Sequence, residues 1–155
     1  LDRYIELINY LKFCRIFSNP KFLLFGSSSE FEDSDKIYKN FKESEIINFT
    51  GTIMLSEIYI ILKYCNLFIG NDSGLMHLAA ASKVPTVGLF GPSDINQYHP
   101  WGRQTLAIST PLKPEQLMKS KSFSHKKTNS LMTGLNSKEV AKKIIYFYEK
   151  IRKNN

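Results

Sequence analysis

The hydrophobic positions of this 155-residue chain fall into short apolar runs separated by longer segments with a helical repeat. Short apolar runs, typical of buried strands, lie at 22–25, 46–48, 67–69, 86–90 and 105–108. Helical spacing predicts helices over about 2–13, 33–41, 55–63, 74–82 and 137–152. Because strands and helices alternate, the pattern predicts an α/β fold, a Rossmann-like parallel sheet with helices on both faces.

The third apolar run ends abruptly in an Asn-Asp-Ser-Gly sequence, and a segment rich in Leu, Met and Ala begins at once. This order predicts a strand that turns directly into a helix, with Asp72 or Ser73 as its cap and Gly74 leaving the first turn open. Free N–H groups there, including that of Leu75, can receive a diphosphate. His77 lies four residues after Ser73 and so on the same helix face. The junction is therefore the candidate binding site.

A second motif follows this junction. The chain runs from Asp72-Ser73-Gly74 through His77 and three alanines to Pro85, and then to Leu-Phe-Gly-Pro-Ser at 89–93. This order resembles the donor-site motif of glycosyltransferase family 9, the ADP-heptose:lipopolysaccharide heptosyltransferases. It is specific because two elements recur in order and at the right separation. Donor binding is thereby assigned to the residues of the junction. The resemblance assigns a structural role to five further residues, Gly51, Pro85, Gly91, Pro92 and Ser93.

Three shorter segments are also similar to the family. The turn at 48–52, with Leu55, resembles its N-L-T-G-K-T-S-L sequence, and Leu24-Phe25-Gly26 with Glu30 resembles its G-x-x-x-E sequence. The segment at 131–135, with Glu139-Val140, resembles its closing M-x-x-I-x-x-x-x-V sequence. The resemblance thus covers about residues 1–150.

The resemblance implies that residues 1–155 form a single donor-binding domain, the C-terminal domain of a GT-B glycosyltransferase, truncated at its N-terminus so that its first strand is missing. It implies inverting transfer of a sugar from an ADP-sugar to a lipopolysaccharide core acceptor, with no cofactor and no metal. The catalytic base is expected in an N-terminal domain outside this chain, so no catalytic residue is assigned here. We therefore expect the isolated chain to be inactive and to self-associate through an unpaired strand edge.

Each candidate residue also has a simpler interpretation. Asp72 and Ser73 could do no more than cap the helix, and His77 could be a half-buried helix residue. Glu30 follows a strand, where a carboxylate can accept hydrogen bonds from ribose hydroxyls, but it could equally be an exposed carboxylate near a helix start. With the second motif present, ligand binding is the favoured interpretation for Asp72 and Ser73, and less firmly for His77. The choice for Glu30 stays open.

Two other segments could carry chemistry. Asp33-Ser34-Asp35 has the D-x-D form of a metal site, but acidic residues in a first helical turn are favoured by the helix dipole, so the metal interpretation is the weaker one. Tyr98, His99 and Trp101 lie in the loop that follows the second motif. Their rings could stack on a base or contact the acceptor, although a loop anchored by buried rings is the favoured interpretation.

The distribution of charge bears on whether the protein contacts a membrane. The net charge of +7 is uneven, because residues 113–155 hold eleven Lys and Arg against three Asp and Glu. A solvated helix face is the first interpretation, and docking on an anionic membrane stays open for the basic residues Lys142, Lys143, Lys150, Arg152 and Lys153. Residues 119–130 are predicted to form a mobile loop. No apolar run reaches the roughly 18 residues of a membrane span.

Cys14 and Cys65 lie in apolar stretches, which favours buried thiols in a reducing compartment over a disulfide or a metal pair. We therefore expect a cytoplasmic protein, with peripheral contact at the inner face of the inner membrane left open. The expected partners are a nucleotide-sugar and, through the missing domain, a lipopolysaccharide acceptor, with no nucleic acid. Two alternatives remain: another sugar-nucleotide enzyme of this architecture, using a UDP-sugar or acting as an epimerase, and a nucleotide-binding module without catalysis.

Overall fold

The structure, a computed structural model, describes residues 1–112, 131–132 and 134–154. The loop predicted over 119–130 lies outside these residues. The chain divides into two compact units, one of Leu1–Ile61 with Ser137–Asn155 and the other of Leu62–Asn136. That both belong to a single domain stays a prediction.

The first unit holds two parallel strands and four helices among its described residues. Its elements are α1 (Asp2–Lys12), β1 (Phe22–Leu24), α2 (Phe31–Tyr38), β2 (Ile46–Asn48), α3 (Leu55–Leu62, whose last residue begins the second unit) and the C-terminal helix α6 (Ser137–Asn154). Strands β1 and β2 pair in parallel, with Phe22 opposite Ile46. Short 3-10 turns precede β1 and α2, at Arg15–Phe17 and Ser28–Glu30.

The core of the first unit forms where the apolar faces of α1 and α2 meet the sheet. Ile8, Ile37 and Ile46 make one buried cluster, and half-buried side chains of β1, including Phe22, pack against it. Helix α6 lies along α1, and the rings of Phe17 and Tyr148 stack at 4.9 Å between centroids. The apolar residues of α1 therefore pack against the sheet and α2 in one direction and against α6 in the other.

The second unit is built around a central parallel strand. Its elements are β3 (Phe68–Asn71), α4 (Gly74–Ala81), β4 (Thr86–Phe90), α5 (Ile95–Tyr98) and β5 (Thr105–Ser109). Strand β4 pairs in parallel with β3 on one side and with β5 on the other, and all five of its residues are buried. A strand buried on both faces reads as a continuous apolar run, which is the pattern that the sequence shows.

Gly88 lets α4 approach the middle of β4. A Cβ atom added there would lie 2.5 Å from Met76 Sδ and 2.7 Å from the Phe90 ring. Met76 and Phe90 are both fully buried, so neither can move aside without disturbing the core. The helix that follows the candidate junction is therefore seated closely on its strand.

The parallel α/β fold is confirmed, and most elements end within two residues of their predicted bounds. Three features differ. The sequence predicts one sheet, whereas the described strands form two sheets. One contains β1 and β2, and the other contains β3, β4 and β5. Helix α2 begins at Phe31 rather than at 33. The loop predicted up to 104 contains the short helix α5.

Two further observations concern the cysteines and membrane insertion. Cys14 and Cys65 form no disulfide and are half-buried rather than buried, and burial raises the pKa of the Cys65 thiol. Within the described ranges, every helix is too short or too polar to pass through a bilayer.

Candidate functional site

The junction between β3 and α4 has the predicted form. The Asp72 N–H donates to the carbonyl oxygen of Leu89 at 3.1 Å, which ties the end of β3 to β4. Ser73 follows in an extended conformation, with φ −161° and ψ 167°, and takes the N-cap position of α4. Its carbonyl oxygen accepts from the N–H groups of Met76 at 3.1 Å and His77 at 3.4 Å. The N–H groups of the first helical turn that precede Met76 have no partner within the helix.

The predicted capping interaction is not made by Ser73. Its side chain makes no cap hydrogen bond, although its backbone takes the cap position. Ser73 and His77 are exposed and Asp72 is half-buried, and in the part of the chain that the structure describes these side chains take no hydrogen bond or ion pair. The half-buried interpretation of His77 is therefore wrong. Hydroxyl, imidazole and carboxylate all remain free for a ligand.

The first turn of α4 is also sterically open. A Cβ atom added at Gly74 would meet no atom within 4 Å. Leu75 beside it is half-buried, which leaves its side chain partly turned into the unit. The helix start is therefore open at Gly74, as a helix N-terminus that binds phosphate requires.

The second motif has a packing role that the structure makes visible. A Cβ atom at Gly91 would lie 2.9 Å from Met132 Sδ and 3.4 Å from the Leu131 carbonyl oxygen. Gly91 therefore allows the segment at 131–132 to pack against the end of β4, which joins two stretches of sequence that both resemble the family. Pro85 starts the strand pairing, because its carbonyl oxygen accepts from the Phe68 N–H at 2.8 Å.

The remaining two residues of that motif, Pro92 and Ser93, are half-buried and lead from β4 into α5. No hydrogen bond of the Ser93 side chain occurs in the described ranges. Their position after the central strand is the one that the sequence predicts.

Glu30 belongs to the first unit, whereas the junction belongs to the second, and Glu30 has a defined structural role. Its Oε2 accepts from the Ser27 N–H at 2.8 Å and from the Ser27 hydroxyl at 2.7 Å, and the first of these bonds is the Glu30 half of a capping box with Ser27. The neighbouring turn contains Gly51 at φ +69°, where an added Cβ would lie 2.7 Å from Ser28 Cα. Because Oε2 is engaged within the chain, the geometry favours a structural role for Glu30. Contact with a ribose stays a prediction.

The D-x-D segment is occupied by ion pairs along α2. Asp33 pairs with Lys36 at 3.3 Å and Asp35 pairs with Lys39 at 2.6 Å. Asp33 lies in the first turn of the helix, where a negative charge is favoured by the dipole, and Asp35 lies beyond that turn. Ion pairs at these i,i+3 and i,i+4 spacings are typical of a solvent-exposed helix face, so the two carboxylates need no metal ion to account for them.

The aromatic loop differs from its favoured interpretation. Trp101 is 85% exposed and Tyr98 is 47% exposed, so the loop is not anchored by buried rings. Pro100 is fully buried instead. Sequence reasoning missed both α5, which is too short to show a helical repeat, and a shallow cavity of about 200 Å³ beside Trp101.

The comparisons with known proteins agree with this geometry. The family model described as "Glycosyltransferase family 9 (heptosyltransferase)" matches residues 6–128. Lipooligosaccharide heptosyltransferase 2 of Campylobacter jejuni serotype O:2 is 40% identical over 89 residues, which cover 56% of this chain and 28% of that protein. Lipopolysaccharide heptosyltransferase 2 of Escherichia coli K12 is 36% identical over 74 residues, 46% of this chain and 21% of that protein.

Two solved structures share the fold. A glycosyl transferase family 9 protein from Veillonella parvula superposes with a TM-score of 0.77 at 22% identity, over 96% of this chain and 41% of that one. The E. coli ADP-heptose lps heptosyltransferase II superposes with a TM-score of 0.74 at 23% identity, over 97% of this chain and 41% of that one. The aligned regions span less than half the length of these relatives. With the family model matched over most of the chain, this protein belongs to glycosyltransferase family 9.

Proposed function

We propose that this chain is the donor-binding part of an enzyme that transfers a sugar from an ADP-sugar, of the ADP-heptose type, to a lipopolysaccharide core acceptor. The observation that carries the proposal is the junction between β3 and α4. It presents an open helix N-terminus, an unengaged hydroxyl and an exposed imidazole at the carboxyl end of a parallel strand. Open α/β sheets bind nucleotide ligands at that end of their strands.

The diphosphate is the part of the donor that this junction suits. When a glycosidic bond to a nucleotide breaks, negative charge builds up on the leaving diphosphate. The free N–H groups of Gly74 and Leu75 and the helix dipole would stabilise that charge, and the His77 ring would donate a hydrogen bond to a phosphate oxygen. Such contacts strengthen as the charge develops, so they lower the barrier rather than only holding the substrate.

Asp72 would serve the sugar rather than the phosphates. A carboxylate repels a diphosphate but accepts hydrogen bonds from sugar hydroxyls. Its main chain is held by Leu89, which leaves the side chain as the adaptable element. The base that removes the acceptor's proton is proposed to belong to a part of the enzyme outside this chain, and Asp72 is a binding residue here.

The proposal is tested by titration calorimetry on the 155-residue chain with ADP, ADP-heptose and a UDP-sugar. Binding of ADP and ADP-heptose, with weaker binding of the UDP-sugar, is expected. Circular dichroism on the same sample shows whether the protein is folded. A folded protein that takes up none of these nucleotides would refute donor binding, and a preference for the UDP-sugar would favour the alternative enzyme of this architecture.

The place of action is a further part of the proposal. We propose a cytoplasmic enzyme that contacts the anionic inner face of the inner membrane through α6. Several of its basic groups already have partners within the chain: Lys142 pairs with Glu139 at 2.8 Å, Lys150 lies 4.6 Å from the centroid of the Tyr146 ring, and Arg152 donates to the Ile16 carbonyl at 3.2 Å. Lys143 and Lys153 are exposed and would face lipid headgroups.

Vesicle sedimentation tests this contact. The chain should sediment with phosphatidylglycerol vesicles and stay in solution with phosphatidylcholine vesicles, and exchange of Lys143 and Lys153 for Gln should reduce the bound fraction. Equal binding to both kinds of vesicle would exclude an electrostatic contact.

A further inference from the structure

The single tryptophan of the chain lies outside the donor-binding junction, and its ring is 85% exposed. It stands on the loop between α5 and β5, beside a shallow cavity of about 200 Å³. The residues that line the cavity are Asn96, Gln97, His99, Pro100, Trp101 and Gly102. An exposed aromatic ring beside a concave surface that also carries polar groups is an arrangement that can bind a ligand.

The backbone that carries this cavity is well held. The Asp94 carboxylate accepts from the Asn96 N–H at 2.9 Å, and the Asp94 carbonyl oxygen accepts from the Tyr98 N–H at 3.0 Å. The His99 N–H donates to the Ile95 carbonyl oxygen at 3.0 Å, and Pro100 is fully buried. The exposed ring of the next residue is therefore presented by an anchored turn.

The polar side chains around the cavity keep hydrogen-bonding capacity. The Asn96 side-chain amide donates to Asp94 at 3.1 Å, which leaves its carbonyl oxygen to accept. Over the described residues, the Gln97 amide and the His99 ring take no partner. An amide oxygen, a complete amide and an imidazole thus face the same cavity as a flat indole ring.

The chemistry of this lining matches one class of ligand. A sugar ring has a face of polarised C–H bonds, which the negative face of an indole attracts, and a rim of hydroxyls that both donate and accept hydrogen bonds. The cavity is smaller than the roughly 300–1,000 Å³ of sites that enclose larger ligands, so it suits one ring and not a whole nucleotide.

The cavity also lies in the same unit as the junction. The turn at 72–74 follows β3, and the loop that carries the cavity follows β4, which pairs in parallel with β3. Loops that follow adjacent parallel strands leave the sheet at the same edge. The loop runs on to the start of β5, where the Thr105 hydroxyl donates to the Gly102 carbonyl oxygen at 3.2 Å, so the Trp101 end of the cavity lies toward the opposite edge of the sheet from the turn at 72–74.

We propose that the cavity beside Trp101 binds one ring of a saccharide, with the ring stacked on the indole and its hydroxyls bound by Asn96, Gln97 and His99. The proposal goes beyond the donor diphosphate site and rests on the proposed function only for the identity of the sugar, a heptose. A ring of the acceptor saccharide supplies this chemistry, because the sugar of the donor is assigned to Asp72, and binding of the donor sugar in this cavity is the other outcome of the test. A nucleobase would stack as well and could hydrogen-bond to the same amides, so ADP without a heptose is included as a probe.

Because Trp101 is the only tryptophan, its fluorescence reports on this cavity alone. The 155-residue chain is titrated with the methyl glycoside of a heptose, a heptose-containing core oligosaccharide, ADP-heptose and ADP. Saturable emission shifts to shorter wavelength are expected with at least one sugar-bearing probe, and no shift with ADP. A shift with ADP-heptose alone assigns the cavity to the donor sugar, and a shift with the nucleotide-free saccharides assigns it to the acceptor.

Variants of the residues that line the cavity test whether their side chains contribute to saccharide binding. Gln97→Ala and His99→Ala should each raise the Kd of the active probe about tenfold, the effect of losing one hydrogen bond. Trp101→Ala, followed by calorimetry, should abolish saccharide binding. Tyr64→Ala is the matched control, because it removes a ring that is 84% exposed elsewhere in the same unit and should leave the Kd unchanged.

Two results would overturn the inference. One is the absence of any emission change with all three sugar-bearing probes, and the other is an equal shift with ADP, which would assign the ring to a base. Neither result touches the proposed function, which depends on calorimetric binding of ADP. Conversely, a saccharide that shifts the emission of a chain that does not bind ADP would leave the cavity as a sugar site and remove the donor site.

Discussion

The N–H of Asp72 donates a 3.1 Å hydrogen bond to the carbonyl oxygen of Leu89, so that the residue at the end of β3 is held by the neighbouring strand. The fold therefore uses the main chain of Asp72 and leaves its carboxylate without a partner in the described part of the structure. His77, one helical turn further, is likewise exposed and unengaged. Substitution of either side chain should therefore change ligand affinity without changing the stability of the fold.

Asp72→Ala should weaken ADP-heptose binding by about 1–3 kcal/mol and leave ADP binding nearly unchanged, because the carboxylate is proposed to hold the sugar. His77→Ala should weaken the binding of both ligands by a similar amount, because the imidazole is proposed to hold a phosphate. Calorimetry measures both effects, and thermal unfolding serves as the control. Unchanged affinities in both variants would return these residues to a structural role.

Gly74→Ala should leave the protein as stable as before, or up to about 1 kcal/mol more stable, because the added methyl meets no atom and alanine favours a helix. ADP affinity should nonetheless fall, since the methyl stands at the open first turn. The matched variant is Gly88→Ala, where the added Cβ lies 2.5 Å from Met76 Sδ. Overpacking there should cost about 1–3 kcal/mol. Urea unfolding compares the two, and equal stabilities would contradict the packing described here.

An active enzyme that contains this chain should keep its turnover in the presence of EDTA, because helix N–H groups rather than Mg²⁺ are proposed to meet the charge of the diphosphate. Asp33→Asn and Asp35→Asn should also leave the rate unchanged, since both carboxylates are ion-paired on α2. Transfer of heptose to a core acceptor is the measurement. Loss of turnover that Mg²⁺ or Mn²⁺ restores, together with inactive Asn variants, would establish the D-x-D segment as a metal site.

Burial and the charge of Glu30 raise the pKa of Tyr4 from 10.0 to about 12. The unfolded chain loses this proton first, so the stability that Tyr4 contributes is complete below about pH 10 and is lost as the pH rises through about 12. The loss is about 3 kcal/mol at most. Urea unfolding between these pH values should give a steeper decline for the natural chain than for Tyr4→Phe. Parallel declines would show that Tyr4 titrates normally.

The sequence predicts the regular elements well where periodicity decides them. Strands β2 and β4 have the predicted bounds, because each is a continuous apolar run bounded by residues that favour turns. The start of α2 is displaced because Glu30 reaches back to Ser27 and fixes a 3-10 turn before the helix. The S-x-x-E spacing of a capping box is readable in the sequence and could have given that start.

The aromatic loop shows where such reasoning fails. Hydrophobicity alone predicts that Trp101 is buried, yet Pro100 takes the interior position and the indole stays in water. Which of two adjacent apolar residues is buried depends on the shape of the unit and on the cap at Asp94, neither of which is a periodic signal. The junction at Asp72 was readable because its chemistry is local, whereas the cavity beside Trp101 depends on tertiary structure.

The complete burial of β4 has a consequence for motion. Because this strand has hydrogen-bonded neighbours on both sides, its amide hydrogens exchange with deuterium only when the whole second unit opens. The N–H groups of Gly74 and Leu75, in the turn after β3, have no partner within the helix, so they should exchange without any opening of the unit. The first turn of α4 can therefore offer these N–H groups to a ligand while the slowest-exchanging part of the unit keeps its register.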